Sequence, residues 1–228
     1  YAAVPECGAC LQAALFPRAY IDPNRSLMDI DPDLIEERWP EPLAPSEKTR
    51  LGHGLIWRQC PPDYALYDRK LRAMEIRKRI DTYWLPYHRA LREMLDRAQQ
   101  RFGKVWHVNC HSMPAAGVPQ QPGGSGRVDF VLGDQDGTTC ESEFTALVAS
   151  TLREFGYRVC VNDPYKGVEL VRAYSDPANG RHSLQIEINR ALYMNEASLE
   201  RDGGFERLRR NLTALAGVLC DYARAKTE

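Results

Sequence analysis

The amino-acid sequence predicts an α/β protein with a mostly parallel or mixed central sheet and helices on both faces. Two observations support this fold class: short apolar runs of strand type alternate with amphipathic helical runs through the second half of the chain, and glycines follow helical runs. Alternation of this kind is typical of a largely parallel sheet that helices cover. The length of 228 residues suits one domain, so we predict a single domain over residues 1–228.

The strands of the predicted sheet are short runs rich in apolar and β-branched residues. They cover residues 104–109, 128–132, 157–161 and 183–188. Two helices are predicted over residues 141–155 and about 204–223, because their apolar residues recur every three or four positions and form one stripe.

The first part of the chain has a different character. Residues 1–62 are irregular in pattern and rich in proline, which indicates loops. An apolar stripe of helical spacing follows over residues 65–102. Pro86 lies within this stripe, and we expect it to kink or split the helix because proline has no backbone donor.

The charge balance excludes one class of partner. The chain has 30 Lys and Arg residues against 31 Asp and Glu, a formal net charge of −1. This balance removes the electrostatic argument for binding nucleic acid or an anionic membrane. No apolar run approaches the roughly 20 residues that are needed to span a bilayer.

The seven cysteines are scattered and odd in number, which favours reduced thiols and a cytoplasmic protein over a disulfide-linked secreted one. Cys7 and Cys10 form a Cys-x-x-Cys pair, but a zinc ribbon would need a second pair, so we interpret the spacing as accidental. The glycine-rich run at 123–126 lacks the Lys-Ser/Thr ending of a phosphate loop and is interpreted as a flexible loop.

The first candidate for chemistry is the run His-Val-Asn-Cys-His-Ser-Met-Pro at 107–114. If it is extended, His107, Asn109 and His111 share a face while Cys110 points the other way, which disfavours a Cys110–His111 nucleophile pair. Neutral His111 at a strand end is a suitable zinc ligand, although a histidine bonded to a turn would show the same pattern. His107, in mid-strand, is interpreted as a buried packing residue.

The second candidate is the run Leu-Gln-Ile-Glu-Ile-Asn-Arg at 184–190. Gln185 and Glu187 lie on one face of this predicted strand, between apolar residues on the other. A buried carboxylate is costly unless it is paired, metal-bound or protonated, and one with a raised pKa can act as a general base. The alternative is an antiparallel edge strand with one face in water.

The third candidate is the proline-bounded loop that contains Arg18, Asn24 and Arg25. A guanidinium fork matches the geometry of a carboxylate, so these residues could bind an acidic substrate. Solvated surface arginines are the alternative.

Six segments together resemble the N-formylglutamate amidohydrolase family, in the family's order and over almost the whole chain. They are Phe-Pro-Arg-Ala-Tyr-Ile-Asp-Pro-Asn-Arg (16–25), Pro-Tyr-His-Arg-Ala-Leu (86–91), Asn-Cys-His-Ser-Met-Pro (109–114), Asp-Phe-Val-Leu-Gly-Asp (129–134), Asn-Asp-Pro-Tyr-Lys-Gly (162–167) and Leu-Gln-Ile-Glu-Ile-Asn-Arg-Ala-Leu-Tyr-Met (184–194).

This resemblance implies a zinc-carboxypeptidase-like fold, because the family is similar to zinc carboxypeptidases and aspartoacylases, which hold one zinc per site. It implies that His111 is a zinc ligand and that Glu187 activates the metal-bound water.

The resemblance also implies how the substrate is held. Arg18, Asn24 and Arg25 match the groups that bind a substrate carboxylate in those relatives, and Arg190 is a second, weaker candidate for that task.

The sequence departs from the family pattern in three places. The family usually opens with a Pro-His-x-Gly strand and an acidic segment that supply the earlier metal ligands. Neither is present here, so we expect this chain to lack an N-terminal strand and metal-ligand segment, and its divalent-metal site, for zinc, to be incomplete. Asn109 stands where the family often has Asp, and Val168 where a second glycine is common.

The function that the resemblance implies is metal-dependent hydrolysis of the amide bond of an N-acyl amino acid. N-formyl-L-glutamate, giving formate and L-glutamate in histidine breakdown, is the expected substrate, so the expected partner is a small molecule and not nucleic acid or a membrane. One alternative is a non-catalytic N-acyl amino acid-binding protein that has lost the metal site. Another is a cysteine hydrolase that uses Cys110.

Overall fold

The computed structural model describes residues 1–60, 64–115 and 127–227, which form two compact units. One unit comprises Tyr1–Leu11 with Leu95–Glu228, and the other comprises Gln12–Met94. The helices are α1 (Glu47–Arg50), α2 (Ala73–Arg79), α3 (Leu85–Phe102), α4 (Ser142–Glu154), α5 (Glu169–Ala173) and α6 (Phe205–Ala225). The strands are β1 (Gln59–Cys60), β2 (Tyr64–Ala65), β3 (Val105–Met113), β4 (Phe130–Gly133), β5 (Val159–Val161) and β6 (Arg181–Asn189).

The structure does not test two of the predictions from sequence. The glycine-rich run at 123–126 lies outside the described residues. The single domain over residues 1–228 stays a prediction.

The central sheet of the first unit has four described strands in the order β3-β6-β4-β5. The pairs β3–β6 and β4–β5 are parallel, and the pair β4–β6 is antiparallel. The predicted α/β class with a mixed central sheet is therefore confirmed. The suggestion that residues 183–188 form an edge strand is wrong, because β6 has a neighbour on each side.

β3 is longer than the sequence pattern predicted. It runs four residues beyond Asn109, because its pairing with β6 continues in register from Val105 opposite Arg181 to Met113 opposite Asn189. The polar residues in this part end the apolar pattern but not the strand. His111 therefore lies within the strand and not after it.

One face of the sheet is apolar and packs against helices. Its core includes Phe130 and Leu132 of β4 and Leu184, Ile186 and Ile188 of β6. Side chains of α4 and α6 complete the cluster, namely Phe144, Val148, Ala149, Leu152, Leu208, Leu212 and Leu215. Each large side chain buried in this way contributes about 1.5–3 kcal/mol, so this layer stabilises the sheet and fixes which residues face it.

The opposite face carries the polar residues of β6, and the segment that leads into α5 covers part of it. A Cβ added at Gly167, which has a φ of +90°, would lie 3.6 Å from the Cβ of Gln185 and 2.6 Å from Val171 of α5. Leu170 and Val171 of this short helix are buried. The sheet therefore has helices on both faces.

The second unit has its own core despite its irregular backbone. Ile21, Ile30, Leu55, Leu71 and Ile76 are fully buried within one apolar cluster. In this unit, buried aspartates accept hydrogen bonds from residues that lie outside the strands. Asp29 accepts hydrogen bonds from the Ser46 backbone N–H at 2.7 Å and the Ser46 hydroxyl at 2.9 Å, and from the Thr49 hydroxyl. The loop-rich region is therefore ordered by carboxylate–donor contacts.

The helical region is interrupted close to Pro86, as predicted. A π-helical segment, Ile80–Trp84, separates α2 from α3, and Pro86 is the second residue of α3. A π-helical turn adjusts the backbone where proline cannot donate to the preceding turn. The helix begins at Ala73, eight residues later than the pattern suggested.

All seven cysteines have free thiols. Within the described ranges, none of the helices combines the length and the apolar character that crossing a bilayer would require.

Gly133 is a position where any side chain should destabilise the fold. A Cβ there would lie 2.4 Å from both the Gly167 backbone nitrogen and the Lys166 carbonyl carbon, so two backbone segments would have to separate. We expect Gly133→Ala to lower the free energy of unfolding by about 1–3 kcal/mol, measured by urea denaturation.

The matched control is Gly217→Ala in α6, where an added Cβ meets nothing within 4 Å. It should raise the free energy of unfolding by about 0.5–1 kcal/mol, because alanine favours helix more than glycine. Equal effects of the two changes would contradict the close approach at Gly133.

Candidate active site

Two neighbouring strands of the first unit carry a row of polar side chains on one face. The register places His107 opposite Ser183, Asn109 opposite Gln185 and His111 opposite Glu187. Residues two apart on a strand point to the same face, so all six lie on the side away from the apolar cluster. We call this row the polar face of β3 and β6.

Hydrogen bonds connect the inner part of the polar face. Nδ1 of His107 lies 2.8 Å from the Ser183 hydroxyl, and Nδ2 of Asn109 donates to Oε1 of Gln185 at 3.1 Å. Desolvation lowers the pKa of His107 to about 4, so its ring is neutral at physiological pH. His107 is only partly buried, so its interpretation as a buried packing residue stays a prediction.

Glu187 and His111 stand at the outer part of the same face. Both are partly accessible, while Gln185 is buried. Gln185 donates from Nε2 to Oε1 of Glu187 at 2.9 Å, which orients the carboxylate. A carboxylate oriented by an amide and placed across from a histidine can take a proton from water or share a cation with that histidine.

Cys110 points away from the polar face, as alternation predicted. Desolvation raises the pKa of the Cys110 thiol to about 11, although part of the residue is exposed to solvent, and this raised pKa disfavours the nucleophilic thiolate. This geometry and chemistry argue against a cysteine hydrolase.

Arg190 follows directly after β6. Its Nη1 pairs with Oε1 of Glu196 at 3.2 Å, and the other oxygen of Glu196 accepts from the Ala115 backbone N–H at 2.8 Å. Glu196 therefore connects the segments that follow β3 and β6 and holds Arg190 near the end of the strand.

Arg18, Asn24 and Arg25 lie together in the second unit. The Arg18 guanidinium pairs with Asp22 at 2.7 Å, and the same aspartate accepts from the Asn24 backbone N–H at 3.0 Å. Arg18 also stands over the ring of Trp57 at 5.2 Å. The buried Asp22 is thus the centre of the loop.

Arg25 is buried and held by backbone carbonyls. Its Nε donates to the carbonyl of His53 at 3.0 Å, and its Nη1 donates to that of Asn24 at 2.9 Å. Asp29 also lies 3.8 Å from the Arg25 guanidinium, so this buried charge is both held in one orientation and partly balanced within the protein.

Comparison with known proteins identifies the family. The family model described as N-formylglutamate amidohydrolase matches residues 1–194. The chain belongs to the N-formylglutamate amidohydrolase family. N-formylglutamate deformylases of Pseudomonas putida and Pseudomonas aeruginosa are 31% and 30% identical to it over 194 and 195 residues, which is 84% of this chain in each case. The chain spans 66% of the length of each of these curated relatives.

One solved structure agrees with this family assignment, and a second agrees in fold. The crystal structure of N-formylglutamate amidohydrolase from Ralstonia eutropha JMP134 is similar with a TM-score of 0.93 at 53% identity, covering 98% of this chain and 81% of that one. A gene product of Agrobacterium tumefaciens is similar in fold with a TM-score of 0.59 at 18% identity, covering 91% of this chain and 69% of that one.

The structure of this family member groups the predicted residues in two sets. His111 and Glu187 are direct neighbours across two strands, with Arg190 three residues beyond Glu187 in the same unit. Arg18, Asn24 and Arg25 form the other set, in the Gln12–Met94 unit.

The described residues do not by themselves complete a metal site. Over residues 1–60, 64–115 and 127–227, no group of three or more His, Cys, Asp or Glu side chains is placed to hold one ion. His111 and Glu187 supply suitable donor types, but zinc sites in proteins use three or four protein ligands.

Sequence reasoning missed the residues that hold the candidates in place. Asp22 lies inside the Pro-bounded loop, and its position two residues before Asn24 is typical of an aspartate that caps its own turn. Gln185 was recognised as sharing a face with Glu187, but its hydrogen bond to that carboxylate was not predicted. Tyr165 lies in a segment that carried the family resemblance and was not singled out.

Two histidines that are held neutral, the partly buried His107 and the buried His88, should make stability depend on pH. Desolvation lowers the pKa of His107 and of His88 to about 4, below their usual value of 6.5. The unfolded chain therefore binds protons between about pH 6.5 and 4 that the folded chain does not, and stability falls as the pH falls through this window. Well above pH 6.5, where the histidines of the unfolded chain are also neutral, these two residues should contribute little pH dependence.

His107→Gln tests this contribution, because glutamine can still bond to Ser183 but does not titrate. The free energy of unfolding should fall less steeply in the variant between pH 6.5 and 5, by up to about 1.4 kcal/mol per pH unit, measured by urea denaturation at several pH values. Identical slopes in both proteins would show that His107 is not held neutral.

Proposed function

We propose that this protein hydrolyses the amide bond of an N-acyl amino acid, with N-formyl-L-glutamate as the substrate. The observation that carries the proposal is the placement of Glu187 across from His111 on the polar face, in a chain that belongs to this family. The relatives are named deformylases or amidohydrolases, which favours a hydrolase over a non-catalytic binding protein.

In the proposed reaction Glu187 is the general base. Its carboxylate takes a proton from a water molecule while the water oxygen bonds to the formyl carbon. The C–N bond then breaks, and the proton on Glu187 passes to the leaving nitrogen, giving formate and L-glutamate. The hydrogen bond from Gln185 at 2.9 Å holds the carboxylate in one orientation for both transfers.

Two groups of residues are candidates for binding a substrate carboxylate, and each group lies within one unit. Arg18, Asn24 and Arg25 form one, in which Asp22 and backbone carbonyls fix the arginine heads. Arg190 is the other candidate, oriented by Glu196. Charge-assisted bonds from guanidinium groups position a carboxylate as well as attract it.

A divalent metal, zinc, is part of this proposal, with His111 as one ligand. Bound zinc would polarise the acyl oxygen and lower the pKa of water. The neutral imidazole of a strand histidine is a suitable ligand, and Asn109 two residues earlier in the strand contributes an amide to the same face.

Three further parts of the proposal rest on the resemblance to the family. They are a cytoplasmic location, consistent with seven free thiols, a place in histidine breakdown, and a structural similarity to zinc carboxypeptidases.

Glu187→Gln should remove the general base while it keeps the size of the side chain. We expect kcat for N-formyl-L-glutamate to fall by about 10²–10⁴-fold with a folded protein, measured by formate release from the full chain.

The control is Glu206→Gln on the exposed surface of α6, where Glu206 pairs with Arg209. It should retain wild-type kcat. Normal turnover by Glu187→Gln would contradict the assignment of Glu187 as the general base.

His111→Ala should lower the zinc content of the purified full chain, measured by elemental analysis, because one ligand is lost. His53→Ala, in the second unit, should retain the wild-type zinc content. Unchanged zinc in His111→Ala would show that this histidine is not a ligand.

A further inference from the structure

The segment from Asn162 to Gly167 crosses the polar face beside Glu187. At one end, a Cβ on Gly167 would lie 3.6 Å from the Cβ of Gln185, which shares a face with Glu187. This segment therefore passes over the strand that carries the proposed general base.

Tyr165 is the aromatic residue of this segment, and it packs against Met113, Val128 and Val131. Val131 stands directly opposite Glu187 in the antiparallel pair of β4 and β6. Side chains of directly opposed residues lie on the same face with their Cβ atoms about 4.5–5.5 Å apart. Met113 follows His111 by two residues in β3, so both side chains lie on the same face. These contacts place the Tyr165 ring on the polar face, next to Glu187.

The segment is held at both ends of Tyr165. The Asn162 side chain donates to Oδ1 of Asp134 at 2.7 Å and accepts from the Asp134 backbone N–H at 3.0 Å. The Lys166 carbonyl accepts from the Gln135 backbone N–H at 2.9 Å. The close approach of Gly167 to Gly133 leaves no space for the backbone to move inward. The backbone on both sides of Tyr165 is therefore held in place.

The electrostatic surroundings keep the phenol protonated. Burial raises the pKa of Tyr165, the negative charge of Glu187 raises it further, and the positive charge of Arg190 lowers it. Both charged groups are thus close enough to act on the hydroxyl. A phenol with a raised pKa remains a hydrogen-bond donor at neutral and mildly alkaline pH.

We propose that Tyr165 is a further catalytic residue, whose hydroxyl donates a hydrogen bond to the acyl oxygen of the substrate as water adds to the acyl carbon. This assignment rests on the proposed function, since Glu187 defines where the water is activated. The acyl oxygen gains negative charge in the transition state, so a fixed neutral donor stabilises that state more than the ground state. Half-buried Tyr165 offers such a donor.

Tyr165→Phe tests the hydroxyl while the ring stays in place. The kcat for N-formyl-L-glutamate should fall by about 10²-fold with little change in KM, because the lost bond forms mainly in the transition state. The matched control is Tyr157→Phe, whose hydroxyl bonds to Asn211 beside the apolar layer, and it should retain wild-type kcat.

A second variant tests protonation without any loss of packing. Replacing Tyr165 by 3-fluorotyrosine lowers the pKa of the phenol and keeps its size. The alkaline limb of the kcat–pH profile should move to lower pH, because the deprotonated phenol cannot donate. A purely structural role for the ring would leave this limb in place.

The outcomes separate the two proposals. Lack of turnover by the wild-type chain, or full activity of Glu187→Gln, would overturn the proposed function and with it the role of Tyr165. Turnover that depends on Glu187 but is unchanged in Tyr165→Phe, changed in KM alone, or unmoved in its alkaline limb would overturn the role of Tyr165 and leave the proposed function standing.

Discussion

The in-register pairing of β3 with β6 places His111 and Glu187 opposite each other in the first unit. Successive side chains of a strand point to opposite faces, so a slip of one residue would turn Glu187 into the apolar layer and Ile186 onto the polar face. The packing of Leu184, Ile186 and Ile188 against α4 and α6 prevents this slip. The chemistry of one face is therefore maintained by the hydrophobic packing of the other.

Asp134 holds the segments around the sheet in place through hydrogen bonds. Its carboxylate accepts from the Gly137 backbone N–H at 2.8 Å, the Thr145 hydroxyl at 2.8 Å and the Asn162 side chain at 2.7 Å. A buried carboxylate with three donors is strongly favoured over an unpaired one. It connects the turn after β4 to α4 and to the segment that holds Tyr165, so these three parts of the chain keep a common position.

The strands and helices whose apolar residues recur at regular spacing were predictable from sequence. The alternation around Ile186 and the stripes of α4 and α6 reflect burial on one side, and burial selects apolar residues at fixed spacing. The end of β3 was not predictable, because residues such as Asn109 and His111 obtain their pairing from a distant strand. The core of the second unit was missed for a related reason. Its order depends on Asp22 and Asp29, and no periodic pattern indicates a buried aspartate.

The candidate site shows the same division. Alternation alone separated His111 from Cys110 and grouped Gln185 with Glu187. That His111 faces Glu187 depends on a register between residues 76 positions apart, which local patterns do not contain. The family resemblance suggested the roles, and the structure shows neighbours that orient these groups, namely Gln185 beside Glu187 and Glu196 beside Arg190.

The held guanidinium of Arg25 has a consequence for the thermodynamics of recognition. An arginine side chain loses roughly 2 kcal/mol of rotamer entropy when it is immobilised. The carbonyls of His53 and Asn24 immobilise Arg25 during folding. An anion that binds Arg25 would not have to immobilise the side chain, so desolvation and shape complementarity would determine the free energy of binding. The entropy cost of ordering the side chain would instead lower the free energy of unfolding of the protein.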